Sequence, residues 1–217
     1  ISLYLPSMLT KMILFSGGFI NIILGLSVLI HSKKSYGNKI FSLMSLTASL
    51  WIFFNYMANI STRPLWIEVA YSSGILVVTL GLLWVSEITN KKISGVENIL
   101  IIFISIALLI GSFIDGFIVK NPEEVSVGAT FYGGHGFGLT IYTLYFITIA
   151  VLIIGKLYIA INTKDYSENQ KLQYRYIFFA SIITLSISAI SSFILPHFSI
   201  FLFGGIDGIG FLIFSIL

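Results

Sequence analysis

The feature that most constrains this chain is a succession of seven long apolar runs joined by short polar stretches. They cover about 9–30, 40–60, 65–86, 96–119, 136–161, 176–195 and 198–217. Each is close to the roughly 20 residues that an α-helix needs to cross a hydrocarbon core about 30 Å thick. In lipid a segment must satisfy its own backbone hydrogen bonds, so such runs are helices. The strands of a membrane barrel would alternate polar and apolar residues, and these runs do not. Only 10% of the residues are charged, against roughly 25% in ordinary globular chains. The expected fold is an all-α membrane protein, a seven-transmembrane-helix bundle that occupies residues 1–217 as one domain.

The first run is too long for the apolar core of a signal peptide. It is followed by His31-Ser32-Lys33-Lys34, not by a small-residue cleavage site. Position 1 is Ile, so the chain reads as a piece of a longer product. The seventh run reaches Leu217 without a polar tail, which suggests that more chain follows.

Lysine and arginine set the expected orientation. The joints after runs one, three and five, with their flanks, hold Lys33, Lys34, Lys39, Lys91, Lys92, Lys156, Lys164, Lys171 and Arg175. The other side holds Lys11, Arg63 and Lys120. Nine against three is a positive-inside bias, which puts the N-terminus outside and the C-terminus in the cytoplasm. A multi-pass protein of the plasma membrane follows. Trp66 and Trp84 bracket run three about 27 Å apart along a helix axis, which suits one ring at each interface; packing inside the bundle suits them equally. The outer joints are too short for a domain of their own. The glycine-rich segment Gly133-Gly134-His135-Gly136-Phe137-Gly138 follows no strand and carries no Gly-Lys-Ser/Thr, so it is not a phosphate loop. The joint 162–175 reads as a solvated connector.

Catalytic chemistry is hard to find. There are no cysteines, and His31, His135 and His197 fall in joints or at helix ends without metal-ligand spacing. No catalytic residue, metal or cofactor is expected. No lysine follows Lys171, so the last helix offers no Schiff-base site for retinal. Ionisable residues inside the apolar runs are the better lead, because charge in lipid is costly. Asp207 lies roughly 15 Å into run seven, near the expected midplane. Gly204 and Gly208 flank it as a small-xxx-small pair that permits close helix contact. Asp207 is read either as a packing hydrogen bond, as the polar pivot of a signalling helix, or as part of a proton or ion path. Nearer the outer surface, Asp115, His135, His197 and Glu68 are candidates to line a shallow ligand cavity, or are simply solvated. Asn21, Asn55 and Asn59 are expected to hydrogen-bond across helix interfaces.

Several short motifs occur in a definite order: Phe19-Ile-Asn-Ile-Ile-Leu-Gly-Leu-Ser-Val-Leu-Ile30, a basic turn, Asn38-Lys-Ile-Phe41 and Trp51. Then come Gly136-Phe-Gly-Leu, Tyr142 and Tyr145, Gln170, Gln173 and Arg175 ahead of Tyr176, Leu195-Pro196, and a glycine-rich last run. This arrangement resembles the seven-helix N-terminal sensor region of bacterial histidine kinases across essentially the whole chain. The family's inner loops are usually arginine-rich, whereas these are lysine-rich. The resemblance implies a signal-input domain of a two-component system. Helix seven would lead to a cytoplasmic output domain, a kinase or less often a diguanylate cyclase, C-terminal to Leu217. It implies partners in the lipid bilayer, a small or hydrophobic ligand, and a second copy in a homodimer, with no role for nucleic acid. The chain itself would not be an enzyme. The competing reading is a small transporter or channel with Asp207 as its intramembrane polar site.

Overall fold

The computed structural model describes residues 7–31, 35–60, 64–91, 93–118 and 136–190. Among them are six helices and no strand: α1 (Ser7–His31), α2 (Tyr36–Ile60), α3 (Pro64–Ile88), α4 (Gly95–Gly111), α5 (Phe137–Asn162) and α6 (Glu168–Ala189). Four contain stretches long and apolar enough to cross a membrane: Leu14–His31, Tyr36–Ala58, Leu65–Ile88 and Phe137–Asn162. The expected span 198–217 and the end of the sixth run, 191–195, lie outside the described residues.

The bundle differs from a water-soluble protein in being apolar on its outside as well as in its cores. Large apolar side chains such as Phe15, Phe19, Ile99, Phe103 and Leu144 point outward. The buried polar residues are Asn21 and a set of serines and threonines, and none of them is charged. Water would punish that arrangement, whereas lipid favours it: hydrocarbon covers the isoleucines and phenylalanines, and small hydroxyls let helices approach closely. Most of the hydroxyls are satisfied inside their own helix. On α3, Ser72, Ser73, Thr79 and Ser86 each donate to the carbonyl four residues back, as does Thr89 just past its end. The amides of Asn21 and Asn55 donate in the same way, to Gly17 O and Trp51 O. Such back-bonding lets polar side chains sit in an apolar bundle.

Helices consecutive in the chain run antiparallel. Across α1 and α2, the Ser42 hydroxyl donates to Gly25 O at 2.7 Å, and Ser49 Oγ lies against Gly18. A Cβ at Gly25 would come within 3.1 Å of Ser42 O and 3.2 Å of Leu46 and Ser45. Glycines seven apart therefore face serines seven apart, the repeat of a near-aligned helix pair with a left-handed crossing. Across α2 and α3, Phe54 stacks on Trp66 at one end and Phe41 meets Trp84 at the other, with ring centroids 6.0 and 5.1 Å apart. Trp66 and Trp84 thus lie at opposite ends of α3, and both pack on α2.

α3 is the hub. Its Ala70 and Val77 belong to a core shared with α1 and α2, built on Leu14, Met44, Ala48, Trp51 and Ile52. Its Ile75, Val78, Leu82 and Val85 belong to a second core with α4 and α5, built on Leu108, Leu139, Ile149, Ile153 and Leu157.

Two boundaries differ from the apolar runs. α4 ends at Gly111, not near Val119. At 17 residues it measures roughly 25 Å, short of a full crossing. The helix stops because residues 112–118 turn back on the start of α5. Gly116 adopts a φ of +76°, and the amides of Gly136 and Gly138 bond to Ile118 O and Phe117 O at 2.9 and 2.8 Å. The Phe117 ring lies over Gly111 and Gly138, where a Cβ would collide with it. Asp115 therefore sits on an exposed turn and not in the last turns of a helix. α6, by contrast, begins at Glu168 and not near Tyr176. A capping box starts it: Ser167 Oγ accepts from Gln170 N, and Gln170 Oε1 accepts from Ser167 N.

Candidate functional site

The best-formed polar site lies in the interior of the bundle, where α2, α3, α4 and α5 meet. Gly74 opens it. A Cβ at that position would stand 2.5 Å from the Tyr142 hydroxyl and 3.3 Å from Trp51 Nε1. Only a glycine lets the Tyr142 ring from α5 and the indole from α2 come so near the α3 backbone. Tyr71, one turn earlier on α3, meets Tyr142 edge to face at 5.2 Å.

Five residues further along α3, Thr79 joins Ser105 of α4 and Tyr145 of α5. The Tyr145 hydroxyl is 2.6 Å from Ser105 Oγ and 2.8 Å from Thr79 Oγ1, and the two smaller hydroxyls are 3.2 Å apart. Thr79 also donates to Ile75 O and Ser105 to Ile101 O, both at 2.6 Å. Each hydroxyl has one proton to give. With Thr79 and Ser105 committed to their own helices, the Tyr145 proton alone joins α5 to either neighbour. The 3.2 Å contact between Thr79 and Ser105 then carries no proton. The cluster has three protons for five close contacts, so several proton arrangements are close in energy. Such a cluster is neutral and has no nucleophile–base pair. It can hold three helices in register and exchange one hydrogen bond for another as they shift.

The contacts keep a constant register. α3 and α5 run parallel, with Gly74 beside Tyr142 and Thr79 beside Tyr145, and Lys156 reaches Lys91 at the far end. α3 and α4 run antiparallel, so Thr79 meets Ser105 while Glu68 and Asp115 share the opposite end. Two of the candidate acids are therefore brought together: the charges of Glu68 and Asp115 repel each other. Glu68 is half-buried in α3 and Asp115 exposed on its turn. His135, His197, Asp207, Gly204 and Gly208 lie outside the described residues, as do the side chain of Asn59 and residues Lys33, Lys34 and Lys92. Lys39, Lys91, Lys156, Lys164, Lys171 and Arg175 gather at the end away from Glu68.

The Thr79–Ser105–Tyr145 cluster was not singled out by sequence reasoning. Single hydroxyls in apolar helices are common, and only the register among α3, α4 and α5 brings these together. The one available signal was that Tyr142 and Tyr145 put two polar rings on one face of an otherwise apolar helix. Comparison with protein-family models, with curated proteins and with solved structures finds no match to this chain. What the fold and the site define, among the described residues, is an all-helical bundle with four helices long and apolar enough to cross a membrane and a polar cluster facing inward.

Proposed function

We propose that this chain is the membrane-embedded signal-input domain of a bacterial two-component sensor or a related signalling protein. In this reading it crosses the plasma membrane seven times, with its N-terminus outside and its C-terminus in the cytoplasm. Span 198–217 then passes the stimulus to an output domain C-terminal to Leu217. The observation that carries the reading is the convergence of Trp51, Tyr142 and Tyr145. These residues belong to the motifs resembling histidine-kinase sensor regions, and they pack beside α3 between Gly74 and Thr79. A degenerate hydroxyl cluster between packed helices is the kind of element that two helix arrangements can share, and a ligand shifts such an equilibrium by binding one arrangement better. The gathering of lysines at one end supports the orientation. Short outer joints point to a stimulus from the bilayer or from a small hydrophobic molecule.

Asp207 is then the coupling residue between bundle and output, and Gly204 and Gly208 let its helix lie close to a neighbour. Asp115, Glu68, His135 and His197 form the outer mouth. Replacing Asp207 with Asn in the parent protein should change the basal output in a reporter assay while membrane insertion stays normal. Unchanged output together with an unchanged response to stimulus would remove Asp207 from the mechanism. The buried hydroxyls favour one other reading, a small transporter or channel. Solute flux in proteoliposomes that Asp207→Asn abolishes would support that alternative against the sensor.

A further inference from the structure

The lysine-rich end of the bundle carries an arrangement that the signalling reading does not use. α3 ends there, and its last turn closes on itself: Thr89 N bonds to Val85 O at 3.0 Å and Asn90 N to Glu87 O at 3.2 Å. Asn90 takes the left-handed conformation, φ 48°, that commonly terminates a helix. The carbonyls at a helix C-terminus lack intrahelical partners. Here side chains from the other half of the molecule supply them. The Tyr174 hydroxyl of α6 donates to Ile88 O at 2.8 Å, and the Tyr166 hydroxyl of the α5–α6 joint donates to Thr89 O. The Lys156 ammonium of α5 donates to Lys91 O at 2.5 Å, which also sets a positive charge at the negative end of the α3 dipole. The rings of Tyr166 and Tyr174 meet edge to face at 5.2 Å.

We infer that this clasp is a releasable latch: the 163–167 joint and the first turns of α6 swing off the end of α3 as a unit, while the bundle interior stays closed. Three features carry it. The fastening is made of hydrogen bonds, whose donors and acceptors water can satisfy on opening, and of two tyrosine rings, so release costs less than parting an apolar core. The moving part is braced internally, by the Ser167–Gln170 capping box and the Lys171–Glu168 ion pair at 3.0 Å, and so leaves intact. Lys164, Asp165, Glu168 and Asn169 are exposed, so the rings of Tyr166 and the buried Tyr174 are the main apolar part of its seat. Beneath it lies Thr89, fully buried at 0% exposure although it stands one residue past the helix end.

The chain has no cysteine, so introduced ones report cleanly. Thr89→Cys, in the full chain in membrane vesicles, is treated with a water-soluble maleimide. It should react slowly compared with Lys164→Cys on the exposed joint. Adding Tyr166→Phe and Tyr174→Phe together should raise its rate about thirtyfold, from the ordinary net worth of two hydrogen bonds. Ser73→Cys, buried deeper in α3, should stay slow in the same phenylalanine background. An unchanged Thr89→Cys rate in that background would overturn the latch, as would rapid reaction with both tyrosines intact. A simultaneous rise at Ser73→Cys would also overturn it, because the tyrosines would then hold the whole bundle and not a local element. If the double replacement lowers expression, Tyr174→Phe alone carries the same comparison with a smaller increase.

Discussion

At the scale of single residues, the interior site turns on one proton. Thr79 and Ser105 can each keep a hydrogen bond to their own helix, so the Tyr145 hydroxyl is what ties α5 to α3 and α4. Tyr145→Phe should cost about 0.6–1.5 kcal/mol, the range for one buried hydrogen bond between membrane helices. Thr79→Val should cost less, because Tyr145 retains Ser105 at 2.6 Å. Thermal unfolding in detergent measures both, and a Thr79→Val loss equal to or larger than that of Tyr145→Phe would refute the proton assignment. Little of this was legible in the sequence. Thr79 and Ser105 look like many other hydroxyls in apolar runs, and their partnership depends on register across three helices. Asp207 drew attention because a charge in lipid has an obvious cost, whereas a threonine that bonds to its own helix has none.

At the scale of elements, the spans were legible because length and apolarity alone determine them. The runs 9–30, 40–60, 65–86 and 136–161 each lie within or nearly coincide with a helix. Hydropathy failed at the two boundaries where local chemistry decides. Residues 112–119 stay apolar apart from Ser112 and Asp115, yet the Asp115-Gly116 pair and the seat of Phe117 on Gly111 and Gly138 turn the chain at Gly111. The start of α6 is polar, so an apolar scan passed over it, although Ser167-Glu168-Asn169-Gln170 carries the signature of a capping box. The α1–α2 seam shows what the small residues hold. Gly25→Leu would force a branched side chain against the Ser42 carbonyl and Leu46, 3.1 and 3.2 Å from where its Cβ would stand. A loss of about 1–3 kcal/mol is expected, as for other overpacked sites. Proteolysis in detergent should release α1 first, and a variant as resistant as the parent would show that the seam is looser than its contacts imply.

At the scale of the whole molecule, outward-facing isoleucines and phenylalanines and inward-facing hydroxyls mark a helical bundle built for lipid. Helices consecutive in the chain alternate in direction, and among the described residues the basic side chains collect at one end. On that frame rests the proposal of a sensor whose last span hands a signal to the cytoplasm. The claim depends on an odd number of crossings between an outside N-terminus and Leu217. The most direct test fuses alkaline phosphatase or green fluorescent protein after Leu217, each expressed separately in a bacterial cell. The account predicts a fluorescent fusion and an inactive phosphatase, which puts Leu217 in the cytoplasm. An active phosphatase with a dark fluorescent fusion would put Leu217 outside and contradict the handing of a signal to a cytoplasmic output.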